Sequence, residues 1–327
     1  MILVKHQNSG NFTPYFYFAL EDYLLNEVLK EGESYFFTWV IKGVVIGHNQ
    51  IIENEVNLDF LKANNIKLFR RPTGGGTVYA DEHNTMFSII AKRSENFSFK
   101  AHLSHIIKAL EKLNVILEFS GRNDLLYDGK KVSGNAFLQN KNGMLLHGTF
   151  LYDADLETMI RAITPDDEKL VSKGIESVRS RVTNLKPYLN GMTQEALIHH
   201  LEQEITNDVY ELSDEEIKML LKRSEKYATI EYLYHQQAAY TKEIKGRIEG
   251  GVFKMRLLLQ EGKIKDFQLF GDFFTLRPLE EFTSLFINQY YNDETITKIS
   301  NAINFNEYFL DVNKQSFLTL LKSGILM

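Results

Sequence analysis

The chain contains no cysteine, a single tryptophan and only five prolines in 327 residues. The first absence is the most restrictive, because without a thiol there is no disulfide framework, no zinc–thiolate site and no cysteine nucleophile. No stretch approaches the run of about 20 apolar residues that a membrane span needs. Residues 1–10 are polar, without the apolar centre of a signal peptide. The expectation is a cytoplasmic protein with no membrane partner. Positive charge is not in excess either: 37 Lys and Arg stand against 43 Asp and Glu, a net charge of −6. That balance argues against the phosphate-neutralising surface of a general nucleic-acid binder.

The residues that are present suit a folded enzyme-sized chain. Hydrophobic residues make up 44% and charged residues 24%, enough apolar material for a substantial core. The length exceeds a typical domain of roughly 100–200 residues, so a large domain with an appendage is expected. Internal repeats and low-complexity tracts are not evident.

Residues 17–30 place Leu20, Tyr23, Leu24 and Val28 on one helical face. Two β-branched and aromatic runs come next, 35–41 and 44–47, and read as strands joined at a tight turn, Lys42-Gly43. A short helix over 57–64 and a strand over 66–70 lead into Arg71-Pro72-Thr73-Gly74-Gly75-Gly76, with another strand over 86–92. Residues 98–113 return to helical spacing. The runs 115–119, 125–127, 131–139 and 144–152 are strand-like, and Asp128-Gly129 and Asn142-Gly143 are hairpin turn signals. A β-meander is expected there. Helices are expected over 156–163, 193–206 and 214–227, the last two opening after Thr or Ser with acidic first turns. A glycine-rich break at 246–251 sets the expected boundary between domains 1–245 and 246–327, the second reading strand, turn, strand, helix, helix. The fold class is α/β (α+β).

Three successive glycines are costly to order, so a fold keeps them where the backbone takes positive φ or approaches a ligand closely. Converging backbone N–H groups can bind an anion, and Arg70 and Arg71 add charge and bidentate donors suited to phosphate. By itself the loop reads equally as a phosphate cradle or as a turn with two solvated arginines. It lacks the Lys-Ser/Thr of a P-loop and the third glycine of a dinucleotide fingerprint.

The surroundings are more specific. Arg70-Arg71-Pro72-Thr73-Gly74-Gly75-Gly76-Thr77-Val78-Tyr79, with Asp81 and Asn84 after it, resembles the RRxSGGGxVxHDxGN signature of lipoate-protein ligases. Further resemblances come in the family's order: His48-Asn49-Gln50 after Ile46-Gly47, Asn123-Asp124 with Lys130-Lys131-Val132-Ser133-Gly134, His147-Gly148-Thr149, and the segment from Ser177 to Leu185. Two departures stand out. Ala80 and His83 occupy places where the signature has histidine and glycine, and residues 230–240 lack the family's tryptophan-rich segment.

The resemblance implies a large domain related to the biotin-ligase catalytic domain, with mixed sheets flanked by helices, plus a small C-terminal α/β accessory domain. It implies activation of lipoic acid with ATP and Mg²⁺ to lipoyl-AMP and pyrophosphate, then transfer to a lysine of a lipoyl carrier. The carriers implied are 2-oxoacid dehydrogenase E2 lipoyl domains and glycine-cleavage H protein. Arg71, Gly76, Thr77, Val78 and Tyr79 are implied to contact ATP, and Lys131 both ATP and lipoate. Arg70, Thr73, Gly74, Gly75, Asn84, Asp124, Ser133 and His147 are implied around the same pocket.

Several of these residues have a reading of their own. Neighbouring strand residues point to opposite faces, so only one of Lys130 and Lys131 enters a pocket, and Lys131 shares its face with Ser133 and Asn135. A fixed ammonium there would bridge carboxylate and phosphate oxygens. Asp124 reads either as a Mg²⁺ ligand or as a turn residue before a strand. His147 reads as a buried, hydrogen-bonded histidine ahead of an acid–base group. Arg179 and Arg181 share a face and would cap an adenylate within a closing loop. Rivals are a thioester-forming acyltransferase of the same fold, excluded by the absence of cysteine, a biotin ligase, whose GRGRxG-like loop is missing, and a catalytically silent nucleotide- or carrier-binding relative.

Overall fold

The computed structural model describes residues 1–6, 12–92, 99–120, 123–163, 180–234, 241–260 and 262–325. In chain order its strands are β1 (Ile2–His6), β2 (Ser34–Trp39), β3 (Gly43–Ile46), β4 (Leu68–Arg70), β5 (Val78–Ala80), β6 (Asn84–Ala91) and β7 (Glu118–Phe119). Next come β8 (Asp124–Tyr127), β9 (Lys130–Gln139), β10 (Met144–Leu151), β11 (Asp208–Leu212), β12 (Lys242–Ile248), β13 (Gly251–Gln260) and β14 (Lys263–Gly271). The large sheet runs β11-β1-β2-β6-β10-β9-β8-β7. It is antiparallel from β2 to β7, with β1 parallel to both β2 and β11.

Strand alternation decides which side each residue serves. Phe36, Phe87, Ile89 and Leu146 join one core beneath the helices Phe99–Glu111 and Gln194–Ile205. Their neighbours Tyr35, Phe37, Ile90 and Leu145 join the opposite core beneath the helices Pro14–Tyr23 and Asp214–Ser224. A sheet covered on both faces reads as dense apolar runs rather than clean alternation, as these strands do. Thr13 and Pro14 open the first helix in the geometry proline favours at a first turn. Ser213 and Glu216 close a reciprocal capping box at the start of the helix Asp214–Ser224.

The meander β8-β9-β10 forms as expected, with Asp128 and Gly129 both at positive φ in its first turn. The hairpin expected across Lys42-Gly43 does not form. β2 stays in the large sheet, whereas β3 crosses into a separate three-stranded sheet of order β4-β3-β5. Both strands satisfy the same local pattern, and only their partners differ. β1 and β11 are two further strands: β11 forms the sheet edge, and β1 lies between it and β2 with Leu3 and Val4 buried.

The C-terminal unit is an antiparallel sheet β12-β13-β14 covered by helices that include Asp293–Ala302 and Lys314–Lys322. Its first strand begins at Lys242, so the break placed at residue 246 falls inside a strand. Gly246 is there for packing, since a Cβ would lie 2.6 Å from Leu320 of the covering helix. The two units touch at the glycine loop. Phe274 packs on Phe137 with ring centroids 5.5 Å apart, and Gly271 N–H donates to the Asn49 carbonyl at 2.7 Å.

Candidate active site

The glycine loop joins β4 to β5, which flank β3, and so lies over β9 and β10 of the large sheet. Arg71 shapes it. Its Nε donates to Thr73 Oγ1 at 2.9 Å, Nη1 to the Val45 carbonyl at 3.2 Å, and Nη2 to the Gly74 and Gly76 carbonyls, each at 2.7 Å. The side chain is buried, and burial pulls the guanidinium down to about 10, with Glu21 opposing and Arg70 adding to the shift. It is therefore still charged at neutral pH. Gly75 has φ +87°, and a Cβ on Gly47 would stand 2.1 Å from the Gly75 carbonyl oxygen. The facing turns fit only as glycine against glycine.

A chain of directed hydrogen bonds continues inward from Thr73. Its Oγ1 lies 2.8 Å from His147 Nε2, and His147 Nδ1 lies 3.0 Å from Glu21 Oε1. Ser88 donates to the same carboxylate oxygen at 2.6 Å and accepts from Trp39 Nε1 at 3.0 Å. A carboxylate only accepts, so His147 carries its proton on Nδ1 and its Nε2 accepts from Thr73. The network satisfies a histidine 2% exposed and one oxygen, Oε1, of a fully buried glutamate. His147 thus holds the loop through Thr73.

A cavity opens between this loop and the sheet. Gly76, Thr77 and Val78 line one side, Lys131, Asn123 and Gly134 the other, with Val45, Met86 and Ala136 making an apolar part. Lys131 Nζ forms an ion pair with Asp124 Oδ1 at 2.8 Å, both side chains partly exposed. The Lys131 backbone is pinned from the far side, Thr183 N–H donating to its carbonyl at 3.0 Å. Asn135 Oδ1 is buried without a hydrogen-bond partner among the described residues and lies so close to Gly148 that a Cβ there would stand 2.1 Å from it.

Not every residue expected at the pocket reaches it. Arg70 turns away and donates to the carbonyls of Gly47, His48, Gln50 and Leu233, a clamp on the neighbouring turn. Tyr79 packs with Val44, Ile46 and Ala162, and Asn84 donates to the Tyr79 carbonyl. Gly74 and Gly75 lie against Phe273 and Phe274 of the C-terminal unit. Ser133 is fully buried behind the cavity wall, because a register irregularity between Leu125 and Leu126 breaks simple alternation along β9. Arg181 is exposed next to Val182, which bridges Lys131, and Arg179 lies outside the described residues.

Glu21 was not singled out by motif. Its signal was an acidic residue amid the apolar sequence of the helix Pro14–Tyr23, where a buried carboxylate demands partners.

The fold and site define an α/β protein with a small-ligand cleft built on a glycine loop, opposite a lysine-bearing strand. Residues 13–206 match the lipoyl protein ligase A/B catalytic domain, and residues 237–321 the bacterial lipoate protein ligase C-terminus. The chain belongs to the lipoate-protein ligase family. It is 35% identical over 321 residues to a probable lipoate-protein ligase A of Mycoplasma pneumoniae, covering 94% of each chain. It is 32% identical to the lipoate-protein ligase LplJ of Bacillus subtilis, covering 98% of this chain and 100% of that one. The structure of P. falciparum LipL1 in complex with lipoate superposes with a TM-score of 0.79 at 25% identity, over 99% of this chain and 98% of that one. Among the described residues, no helix is long and apolar enough to cross a membrane.

Proposed function

We propose that this chain joins lipoic acid to ATP in the cavity between Gly76–Val78 and Lys131, then passes the lipoyl group to a lysine of a lipoyl carrier in the cytoplasm. The observation that carries this reading is one cavity with a glycine loop on one wall and a lysine ammonium on the other, above an apolar end. Lipoate's hydrocarbon suits Val45, Met86 and Ala136, and its carboxylate suits Lys131. The α-phosphate suits the Gly76-Thr77 backbone, because a Cβ built on Gly76 meets nothing within 4 Å.

In the first step a lipoate carboxylate oxygen attacks the α-phosphorus. The bond from that phosphorus to the bridging oxygen breaks, and its electron pair leaves with pyrophosphate. Two anions must approach, so an ammonium held between carboxylate and phosphate lowers the barrier electrostatically and by positioning. In the second step a neutral carrier lysine amine attacks the acyl carbon, the bond from that carbon to the phosphate oxygen breaks with its electron pair leaving on AMP, and the amine nitrogen gives up a proton to solvent.

Magnesium would neutralise phosphate charge. Asp124 suits it, since its carboxylate already accepts a cation, the Lys131 ammonium, at 2.8 Å. With Lys131 turned to the substrate carboxylate, Asp124 would be free to hold the metal. The Phe274 ring, packed on Gly74 and Gly75, would shield the loop from water.

E2 lipoyl domains and glycine-cleavage H protein are the carriers assigned. Incubating each with the chain, lipoate, ATP and magnesium should add one lipoyl group to the carrier by mass. A silent relative would give neither that increase nor lipoate-dependent pyrophosphate exchange. Exchange with no mass increase on either carrier would refute the carrier assignment.

A further inference from the structure

Beside the cavity lies a second cleft, formed between the large domain and the C-terminal sheet. Gly76 and Thr77 line both. Its other wall is the outward face of β12 and β13. Along β12, Ile244 points into the small core, and Lys245 and Arg247 point the other way. Along β13, Val252 and Lys254 share that outward face, while Phe253 and Met255 are buried. In the strand register Lys245 stands directly opposite Lys254. Like charges facing one another across a strand pair are unfavourable unless something anionic sits between or above them.

Lys254 has a local partner, Glu243, at 3.1 Å. Lys245 and Arg247 have no carboxylate within ion-pair distance among the described residues, and both line the cleft. The large domain supplies Thr77, whose hydroxyl donates to Gln50 Oε1 at 3.1 Å and approaches Glu55 Oε2 at 3.4 Å. Glu55 and Asp272 also line the cleft. A guest suited to this wall is therefore a multiply charged anion that brings its own cation.

We infer that this interdomain cleft is the polyphosphate subsite of the enzyme. Lys245 and Arg247 hold the β- and γ-phosphates of ATP, and afterwards the magnesium pyrophosphate product, while the α-phosphate lies at Gly76-Thr77. The inference rests on the ligase reading above. It gives the C-terminal unit a direct part in holding the nucleotide, through Lys245 and Arg247.

The test uses the full chain and titrates magnesium pyrophosphate calorimetrically into the wild type, Lys245→Ala, Arg247→Ala and Lys245→Arg. Each alanine variant is expected to weaken pyrophosphate about tenfold and to raise the KM for ATP by a similar factor, the scale of one charge-assisted hydrogen bond. Lys245→Arg, which keeps the charge, restores most of the affinity. Both lysine variants alter an exposed side chain, so melting temperature is expected to hold. Alanine variants that bind pyrophosphate within twofold of the wild type overturn the subsite. The ligase reading fails separately, if the wild type shows no lipoate-dependent exchange, because calorimetry reads the cleft without turnover.

Discussion

Thr73→Val tests whether the buried network holds the glycine loop. Valine keeps the shape of threonine and removes only the hydroxyl that links Arg71 Nε at 2.9 Å to His147 Nε2 at 2.8 Å. Two interactions are lost. A hydrogen bond from a charged donor contributes roughly 1.5–3 kcal/mol, and an imidazole nitrogen left buried without its donor costs roughly 1–3 kcal/mol. Together they predict destabilisation of about 2.5–6 kcal/mol, a large share of the roughly 5–15 kcal/mol that holds a domain. In a domain of this size that lowers the melting temperature by on the order of 10 °C. Thr73→Ser retains the hydroxyl and should lose less than about 1 kcal/mol. The assay is calorimetric melting of all three proteins without ligand. A valine variant that melts with the serine variant, within a degree or two, refutes the network.

Gly47→Ala places a Cβ 2.1 Å from the Gly75 carbonyl, so the loop must move by about 1 Å and turnover should fall roughly 10²-fold. Gly76→Ala meets no protein atom and should instead raise the KM for ATP at unchanged melting temperature; steady-state kinetics and melting curves separate the two. Burial and the neighbouring Asp272 carboxylate raise the Glu55 carboxyl above 4.5, against opposition from Thr77 and Lys245. Its folded value then exceeds its unfolded one, so stability present below the unfolded value is lost as pH rises through the folded value. Glu55→Gln should accordingly melt higher than the wild type at pH 8, with the gap closing below about pH 4, by calorimetry at both pH values. An equal gap at both would contradict the shift.

The extent to which the chain announces its structure varies with the range of the interaction. The meander was legible because Asp128-Gly129 and Asn142-Gly143 are local turn codes, satisfied within a few residues. The change of sheet between β2 and β3 was not, since an apolar run does not specify which strand it will meet. The glycine loop and Lys131 were legible through spacing and strand parity. Ser133 was misplaced by the same parity, because the register shifts between Leu125 and Leu126, which pair with Ser133 and Lys131, so simple alternation fails between those two residues. Arg70 and Arg71 are adjacent and chemically identical, yet one clamps carbonyls behind the loop and the other lines the cavity. Glu21 and the basic face of β12 join the site only through tertiary structure, Glu21 by its contact with the remote His147 and Lys245 by lining the same cleft as Thr77.

Lipoate-dependent exchange of labelled pyrophosphate into ATP, measured for the wild type beside Lys131→Ala, tests the central claim most directly. It isolates adenylation from transfer and needs no carrier. With Lys131 as the ammonium between carboxylate and α-phosphate, the wild type exchanges in the presence of magnesium and the variant falls by about 10²–10³ even at saturating ATP. Exchange by Lys131→Ala at the wild-type rate would contradict the assignment of Lys131 to that step.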